Sequence, residues 1–475
     1  VWLCLALVSL AAPARAQSPL RPEPAASAEG PDALQQEVIR ARILLRLGRA
    51  EESLALFREL VAWRPDDRSL REDYAEVLLD AGLPERAAEE IQALLERDPR
   101  SLRLRRLRAR ADLERGEVGR AAERLEALAA EAPDDPGLRA DWALAERRAG
   151  HWRRAMALYA GVLARDPDNP DVRAAYRELR STHAPRLELQ HTTLLQVAAT
   201  HHVEEIAWRG WLGDRWWLRA GARHAIYEQD SLPGLKGFTE EVQTALLTLG
   251  LQPTAAVGLR AGLEEARRED TLRTTFRLGA RYENARTTAT LDLAVRELLT
   301  NPVVAIPLRG TTDRLTAELY RRVADRLVLA AHYEGRHYQV SGDTLGNAWE
   351  AAGRAEVELL RGRLQATLVP QLFFSEYSPA VGSPLREQVS FIRRQDVLGV
   401  GLVLAWEPTP ALRLQAGSVG RRDLHRAITA YEVSGEARWR IRPWLEGWVL
   451  YNRNTEGGLV GGKEELFSAR LDVLF

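Results

Sequence analysis

The segment TLRTTFRLGARYE (residues 271–283) changes character at every second position. Leu272, Phe276, Leu278, Ala280 and Tyr282 fall on one side of an extended strand, and Arg273, Arg277, Arg281 and Glu283 on the other,. RLVLAAHYEGR (326–336) divides in the same way, with Leu327, Leu329 and Tyr333 opposite Arg326, His332, Glu334 and Arg336. So does YEVSGEARWRI (431–441), with Val433, Ala437 and Trp439 opposite Glu432, Glu436, Arg438 and Arg440. Two-residue alternation of this kind runs from residue 186 to 475 and predicts consecutive antiparallel strands with one apolar face.

Short turns punctuate the region at Gly213-Asp214, Gln252-Pro253, Glu283-Asn284, Ala324-Asp325, Arg361-Gly362, Glu407-Pro408 and Arg442-Pro443. Between them lie longer polar connections, among them RELLTNPVVAIPLRGTTD, GDTLGN, SEYSPAVGSPLREQ and NRNTEGGLVGGKE. Seven hairpins between an opening strand near 186–193 and a closing strand near 465–475 predict about sixteen strands. An even count, with short turns on one side and long loops on the other, is the pattern of an outer-membrane barrel. The region contains 34 arginines, and each would cost about 2–4 kcal/mol at the lipid midplane, which assigns them to lumen, loops or rims. Trp211, Trp216, Trp217, Trp406, Trp439 and Trp444 gather near the short turns, where an interfacial girdle belongs,. A soluble sandwich would need neither the loop asymmetry nor the aromatic rim.

The first sixteen residues, VWLCLALVSLAAPARA, read as an export signal ending in a small-x-small cleavage pattern, followed by a Pro/Ala-rich leader over 17–33 that is left unfolded,. Cys4 is the only cysteine and lies in that signal, so the mature chain is expected to hold no disulfide or thiolate metal site,. Arginine dominates the 66 basic residues, yet 67 acidic residues balance them, which argues against a nucleic-acid partner,.

Between 34 and 169 the chain repeats. Gly48, Gly82, Gly116 and Gly150 recur at one fixed step of 34, as do Pro65, Pro99, Pro133 and Pro167. Ala41, Ala75, Ala109 and Ala143 keep the same step, as do Ser53, Ala87, Ala121 and Ala155, each followed by Phe57, Ile91, Leu125 or Tyr159. This predicts two amphipathic helices per unit, with Gly ending the first, small residues where the helices cross, and Asp66, Ser101, Asp134 and Asp168 as capping candidates. The period and these positions resemble the tetratricopeptide repeat, and 170–185 reads as a capping helix and linker. In that family the first helices line the binding face. Here it would carry Arg42, Arg46, Glu72, Glu76, Arg103, Arg106, Arg110, Arg147 and Arg148.

The expected fold class is therefore α + β multidomain: an α-solenoid of about four units, then a transmembrane barrel over 186–475. No hydrolase, zinc-protease or phosphate-loop pattern occurs, and HHVEE (201–205) offers only His202 and Glu204 on one strand face,. The expectation is a non-enzymatic chain without cofactor or metal. Candidate pore-lining residues are Arg273, Arg277, Arg281, Arg314, Glu318, Arg326, Glu334, Arg354, Glu356, Glu358, Glu432, Glu436, Arg438 and Arg440. The barrel segment holds 36 basic and 35 acidic residues, so strong ion selectivity is not expected,.

Signal, repeats and barrel together resemble the outer-membrane porins of synthase-dependent exopolysaccharide secretion, of the poly-N-acetylglucosamine and cellulose type. The resemblance implies export of a polysaccharide, with a periplasmic array that guides the polymer or docks partner proteins. Surface-lipoprotein assembly modulators also join repeats to a barrel, usually of fourteen strands, and a structural or receptor barrel with a plugged lumen is a third reading. The final SARLDVLF places Phe475 as a terminal aromatic resembling the signal read by the barrel assembly machinery, with the lipid bilayer as the surrounding partner.

Overall fold

The computed structural model describes residues 31–475 except 232–235, 255, 270, 301–304, 307, 381–391 and 456–461. The export signal and the leader up to residue 30 lie outside the described residues. Backbone contacts gather the chain into two compact units, one up to Asp141 and one from Trp142 to Phe475. Among the described residues there are nine helices: α1 (Pro31–Arg46), α2 (Ala50–Trp63), α3 (Arg68–Asp80), α4 (Pro84–Arg97), α5 (Leu102–Glu114), α6 (Val118–Glu131), α7 (Pro136–Arg148), α8 (Trp152–Leu163) and α9 (Pro170–His183).

Each recurring position has a structural role. Gly48, Gly82, Gly116 and Gly150 have φ of 78°, 75°, 81° and 85°, the left-handed turn that ends the first helix of each pair and strains any side chain with a Cβ,. Ala41, Ala75, Ala109 and Ala143 are fully buried, as are Ser53, Ala87, Ala121 and Ala155. At the first crossing the Ser53 hydroxyl donates to the Ala41 carbonyl at 2.7 Å, so even the one polar member is satisfied,. Phe57, Ile91 and Leu125 fill the core beside them.

The helix caps correct the sequence reading at three of four positions. Asp67 accepts from the Leu70 amide at 3.1 Å, Ser101 from Leu104 at 3.3 Å, Asp135 from Gly137 at 2.7 Å, and Asn169 from Val172 at 3.1 Å. Asp66, Asp134 and Asp168 each stand one residue too early to reach those amides, because a cap must directly precede the first helical turn. Residues 67, 101, 135 and 169 keep the 34-residue step that Ser101 already set.

The second unit contains the barrel. Its strands are β1 (Arg186–Gln196), β2 (Ala199–Leu212), β3 (Trp216–Gln229), β4 (Phe238–Leu251), β5 (Val257–Arg268), β6 (Thr271–Glu283), β7 (Thr287–Leu298) and β8 (Thr311–Ala324). They continue as β9 (Leu327–Val340), β10 (Asp343–Leu360), β11 (Leu364–Pro379), β12 (Arg394–Thr409), β13 (Leu412–Asp423), β14 (Ile428–Arg442), β15 (Leu445–Asn454) and β16 (Glu464–Leu474). Every strand pairs antiparallel with its neighbours in sequence, and β16 closes on β1 with Arg186 opposite Leu474 and Leu189 opposite Leu471. Closure leaves no unpaired edge, the condition for sheet inside a bilayer.

The outer face carries an apolar band. Leu398, Val400, Leu402, Leu404 and Trp406 stand exposed along β12, and Phe276, Leu278 and Tyr282 along β6. No described helix is long and apolar enough to cross a membrane. Two details depart from the sequence reading. GDTLGN is not a long loop, because β9 and β10 meet at Ser341-Gly342 and the rest of the stretch is strand. The Glu407-Pro408 turn moves to Pro410-Ala411, since β12 runs on to Thr409.

Two of the six girdle tryptophans also point elsewhere. Trp217 lies flat across Gly250, where an added Cβ would fall 1.9 Å from the ring, and the Arg209 guanidinium stacks on it at 4.6 Å,. Trp211 packs against Trp152 of α8 and His183 of α9, with ring centres at 5.7 and 4.8 Å, and the Trp152 and His183 rings stack at 4.6 Å. The Trp152 indole donates to the Asp214 carbonyl at 3.2 Å, so the last repeat helices seat on the β2–β3 turn. Burial pushes the His183 imidazole below its ordinary pKa, outweighing its hydrogen bond to the Leu179 carbonyl, and Arg209 and Arg186 add to the lowering,.

This seat is expected to depend on pH. The native imidazole takes up a proton less readily than the unfolded one, so the stabilisation is complete above about pH 6.5 and declines as pH falls below it. Tryptophan fluorescence between about pH 8 and 5 checks this, and His183→Phe should flatten the acid limb; an identical profile in the variant counts against it. At the other end of the chain the Phe475 amide donates to the Pro185 carbonyl at 2.8 Å, beyond the last paired residue of β16. Deleting Phe475 is expected to lower the amount of folded barrel several-fold, read as the band that migrates faster on unheated than on boiled detergent gels.

Candidate functional site: the barrel lumen

Cross-strand partners share a face of the sheet, so the apolar outer band fixes which side chains line the lumen. On β6 these are the odd-numbered positions, on β8 to β10 the even ones. The inward side chains of one wall form an unbroken chain of alternating charge. It starts at Asp472 and Arg470 on β16, which are 2.7 Å apart, and passes to Glu188 on β1 at 3.0 Å. Arg219 of β3 joins Glu188 at 2.9 Å and also pairs with Glu205, which meets Arg223 at 2.8 Å. Arg223 reaches Glu264 of β5 at 3.6 Å, and Arg277 of β6 sits between Glu264 at 2.7 Å and Glu297 of β7 at 2.5 Å. Arg314 continues from Glu297 at 2.9 Å to Glu334 at 3.5 Å, and Arg336 links Glu334 to Glu350 of β10.

The belt explains how Glu188 and Glu334, both almost completely buried, stay compatible with the fold. Each has two arginine partners, and the planar guanidinium meets carboxylates with two donors at once,. His332 extends the belt, lying 3.4 Å from Glu350 and 3.6 Å from Glu318. One ligand atom each of His332, Glu334 and Glu350 falls within 4.8 Å of the others, a spacing compatible with a metal ion. Arg314, Arg336 and Thr316 already hold the Glu334 carboxylate, so its charge is compensated without one.

The other residues singled out from the sequence occupy different stations. Arg273 donates to the carbonyls of Gly310 and Arg309 at 2.7 and 3.2 Å. Arg354 lies over the Tyr320 ring at 5.5 Å and pairs with Glu356 at 3.0 Å. Glu358 pairs with Arg361, Arg281 with Glu283, Arg440 with Glu446, and Glu436 with Arg438, all toward the short turns. Glu432 pairs with Arg421 and accepts from Asn452 at 2.7 Å. Arg326 sits at the β8–β9 turn, exposed, with its carbonyl accepting from the Glu358 amide at 2.9 Å. His202 and Glu204 face outward, where His191 lies 3.7 Å from Glu204. The belt members Glu188, Glu205, Arg219, Arg223, Glu264, Glu297, Arg336, Glu350, Arg470 and Asp472 are not among the pore-lining candidates of the sequence; strand parity places all but Glu297 on the charged face, and Glu297 reaches it through the register shift after Ala294.

In the repeats, the face of the first helices is brought together by mutual pairing. Arg103 of α5 spans Glu72, Asp73 and Glu76 of α3 at 3.2, 2.7 and 3.6 Å, and Arg42 of α1 meets Asp73 and Glu76 at 3.0 and 3.4 Å. Arg110 reaches Asp80 at 3.2 Å and Arg106 reaches Asp141 at 2.6 Å. In the second unit Arg147 meets Glu178 at 2.9 Å. Arg46 and Arg148 are exposed.

Toward the long loops the lumen holds a cavity of about 670 Å³, lined among others by Tyr320, His332, Arg354, Gln371, Phe373 and Gln395. Between β7 and β8, Ala305 and Ile306 turn inward here. Ile306 is fully buried against Ala199, Ala225, Tyr227 and Val242 of β2 to β4, while Ala305 packs with Tyr338, Val340 and Tyr377. Arg268 donates to the Ile306 carbonyl at 3.0 Å and Ser341 to that of Leu308 at 3.0 Å, so with Arg273 three side chains hold the backbone of this segment. If it narrows the pore, Arg268→Ala with Arg273→Ala should raise single-channel conductance in planar bilayers about twofold or more; unchanged conductance would remove that role.

The tetratricopeptide repeat model matches residues 44–111 and 112–179. No curated protein matches the chain. Among solved structures, a bacterial polysaccharide outer membrane secretin is similar at 12% identity and a TM-score of 0.49, over 62% of this chain and 99% of its own. OprD of Pseudomonas aeruginosa is similar at 10% identity and a TM-score of 0.32, over 62% of this chain and 94% of its own. A thermophilic TPR protein of Thermus thermophilus is 24% identical, with a TM-score of 0.29, over 31% of this chain and 82% of its own. The chain carries a region matched by the tetratricopeptide repeat model, followed by a closed sixteen-stranded antiparallel barrel.

Proposed function

We propose that this protein is an outer-membrane channel for export of an extracellular polysaccharide, with its repeats on the periplasmic side guiding the polymer or docking partner proteins. The observation that carries the reading is the lumenal belt. Its carboxylates and guanidinium groups are paired with one another, so the wall is hydrophilic, rigid and nearly neutral, which suits a hydrated polymer better than a selected ion,. Sixteen strands weigh against the lipoprotein-translocation reading, which the fourteen-stranded relatives would favour. The inward β7–β8 segment is the observation that favours the second reading, a structural or receptor barrel with a plugged lumen. In the export role the chain performs no catalytic step and uses no cofactor, and Phe475 serves as the assembly signal for the barrel machinery.

Deleting the gene tests it. Loss of an extracellular polysaccharide with surface lipoproteins retained is the expected result. Loss of surface lipoproteins with polysaccharide retained would falsify the export reading.

A further inference from the structure

His332 stands apart from the rest of the lumenal wall. It lies on β9 opposite Glu318 of β8 and diagonal to Glu350 of β10, and all three face inward. Carboxylates elsewhere in the belt share two arginines each: Glu205 meets Arg219 and Arg223, and Glu297 meets Arg277 and Arg314. The two around His332 are not served in this way. Among the described residues Glu318 forms no ion pair with an arginine, and Glu350 reaches only Arg336, at 4.0 Å. Glu350 also stands directly opposite Glu334 across the β9–β10 ladder, a like-charge pair that destabilises a sheet unless a cation lies beside it,.

Both ring nitrogens of His332 face carboxylate oxygens, Nδ1 toward Glu318 at 3.6 Å and Nε2 toward Glu350 at 3.4 Å. Neither separation is a hydrogen bond. A neutral imidazole has a single N–H, so one nitrogen meets its carboxylate lone pair to lone pair. With the proton on Nδ1 beside Glu318, Nε2 turns its lone pair toward Glu350, the arrangement in which a carboxylate orients a metal-binding histidine. A tetrahedral ion with arms of about 2.1 Å holds its ligand atoms about 3.4 Å apart, which is the separation of Nε2 from the Glu350 oxygen. A Glu334 oxygen falls within 4.8 Å of a ligand atom of each. Glu334 is almost completely buried, and its Oε1 accepts no hydrogen bond although Arg336 lies against it. A carboxylate has about four acceptor positions, so Glu334 can keep its arginines and still turn one position toward an ion.

We infer that His332, Glu334 and Glu350 form a binding site for a divalent transition-metal ion of the zinc class, entered from the lumen. The three supply one nitrogen and two oxygens, and the cavity of about 670 Å³ that they help to line leaves a fourth position to water,. An imidazole ligand favours zinc and its neighbours over magnesium and calcium, which take oxygen ligands. The ion separates the facing Glu334 and Glu350 carboxylates and gives Glu350 the close cationic partner that the belt does not provide. It also ties β9 to β10 on the wall of the pore. The site is independent of what the pore carries.

The probe is zinc alone, added to the full chain purified in detergent without a polyhistidine tag and followed by titration calorimetry. About one ion per chain is expected to bind, and His332→Ala and Glu350→Gln should each weaken binding about tenfold or more. His191→Ala, on the outer face beside Glu204, should leave it unchanged. Folding of each variant is checked by its gel shift on heating. A folded chain that takes up no zinc overturns the site, and an imidazolium between the two carboxylates takes its place. Binding unchanged in either folded lumenal variant, or weakened as much by His191→Ala, overturns it as well. None of these results bears on the export reading, which the gene deletion tests separately.

Discussion

A strand inside a bilayer has no water with which to satisfy its amides and carbonyls, so the sheet must close on itself. Everything in the barrel follows from the pairing of β1 with β16, its one strand pairing between residues nearly three hundred positions apart in the chain. The other pairings are hairpins and form locally. This one must wait until all sixteen strands exist, and it is finished by the Phe475 amide on the Pro185 carbonyl. Residues 464–475 therefore complete the ring of backbone hydrogen bonds at the seam.

Closure also creates the lumen, and a lumen lined by long charged side chains has to resolve their mutual repulsion. The alternation of acid and base from Asp472 to Glu350 does so with ion pairs within one strand, between neighbouring strands or across one intervening strand. Such pairs do little for stability when exposed to water, but half-buried and shared between two partners they hold the wall in one arrangement. The same solution recurs in the repeats, where Arg103 spans Glu72, Asp73 and Glu76, and the buried Asp112 lies within 3.5 and 3.2 Å of Arg108 and Arg124. Arginine suits both places because its planar fork bonds two carboxylates at once.

Much of this is legible in the sequence because both halves of the chain obey strict periods. A step of 34 locates the helix-ending glycines and the buried alanines, and a step of two locates the faces of the strands. The departures come from local choices that a period leaves open. An aspartate on either side of a helix start looks like a cap, and only the position that can reach the N3 amide is one; Asn169 caps α9 and Asp168 does not for that reason. GDTLGN carries two glycines and reads as loop, yet cross-strand bonding to β9 and β11 holds it as strand, with Gly346 at a register shift. Trp211 and Trp217 sit at a rim, where tryptophan favours the lipid interface, but His183 and Trp152 in one case and Gly250 in the other provide better partners.

The sequence by itself determined the class of each half, a count of about sixteen strands and the face of most strand charges, because a face is set by spacing along a single segment; Glu297 reaches the lumen only through the register shift after Ala294. Which charges meet was decided only by the tertiary structure. Arg223 finds Glu264 because β4 separates their strands and the stagger of the closed sheet brings them level,. The burial of Ile306 against strands that lie far earlier in the chain likewise depends on which strands closure makes adjacent. Contacts of that kind depend on ring closure and register, which are properties of the whole sheet and are not written in any one strand.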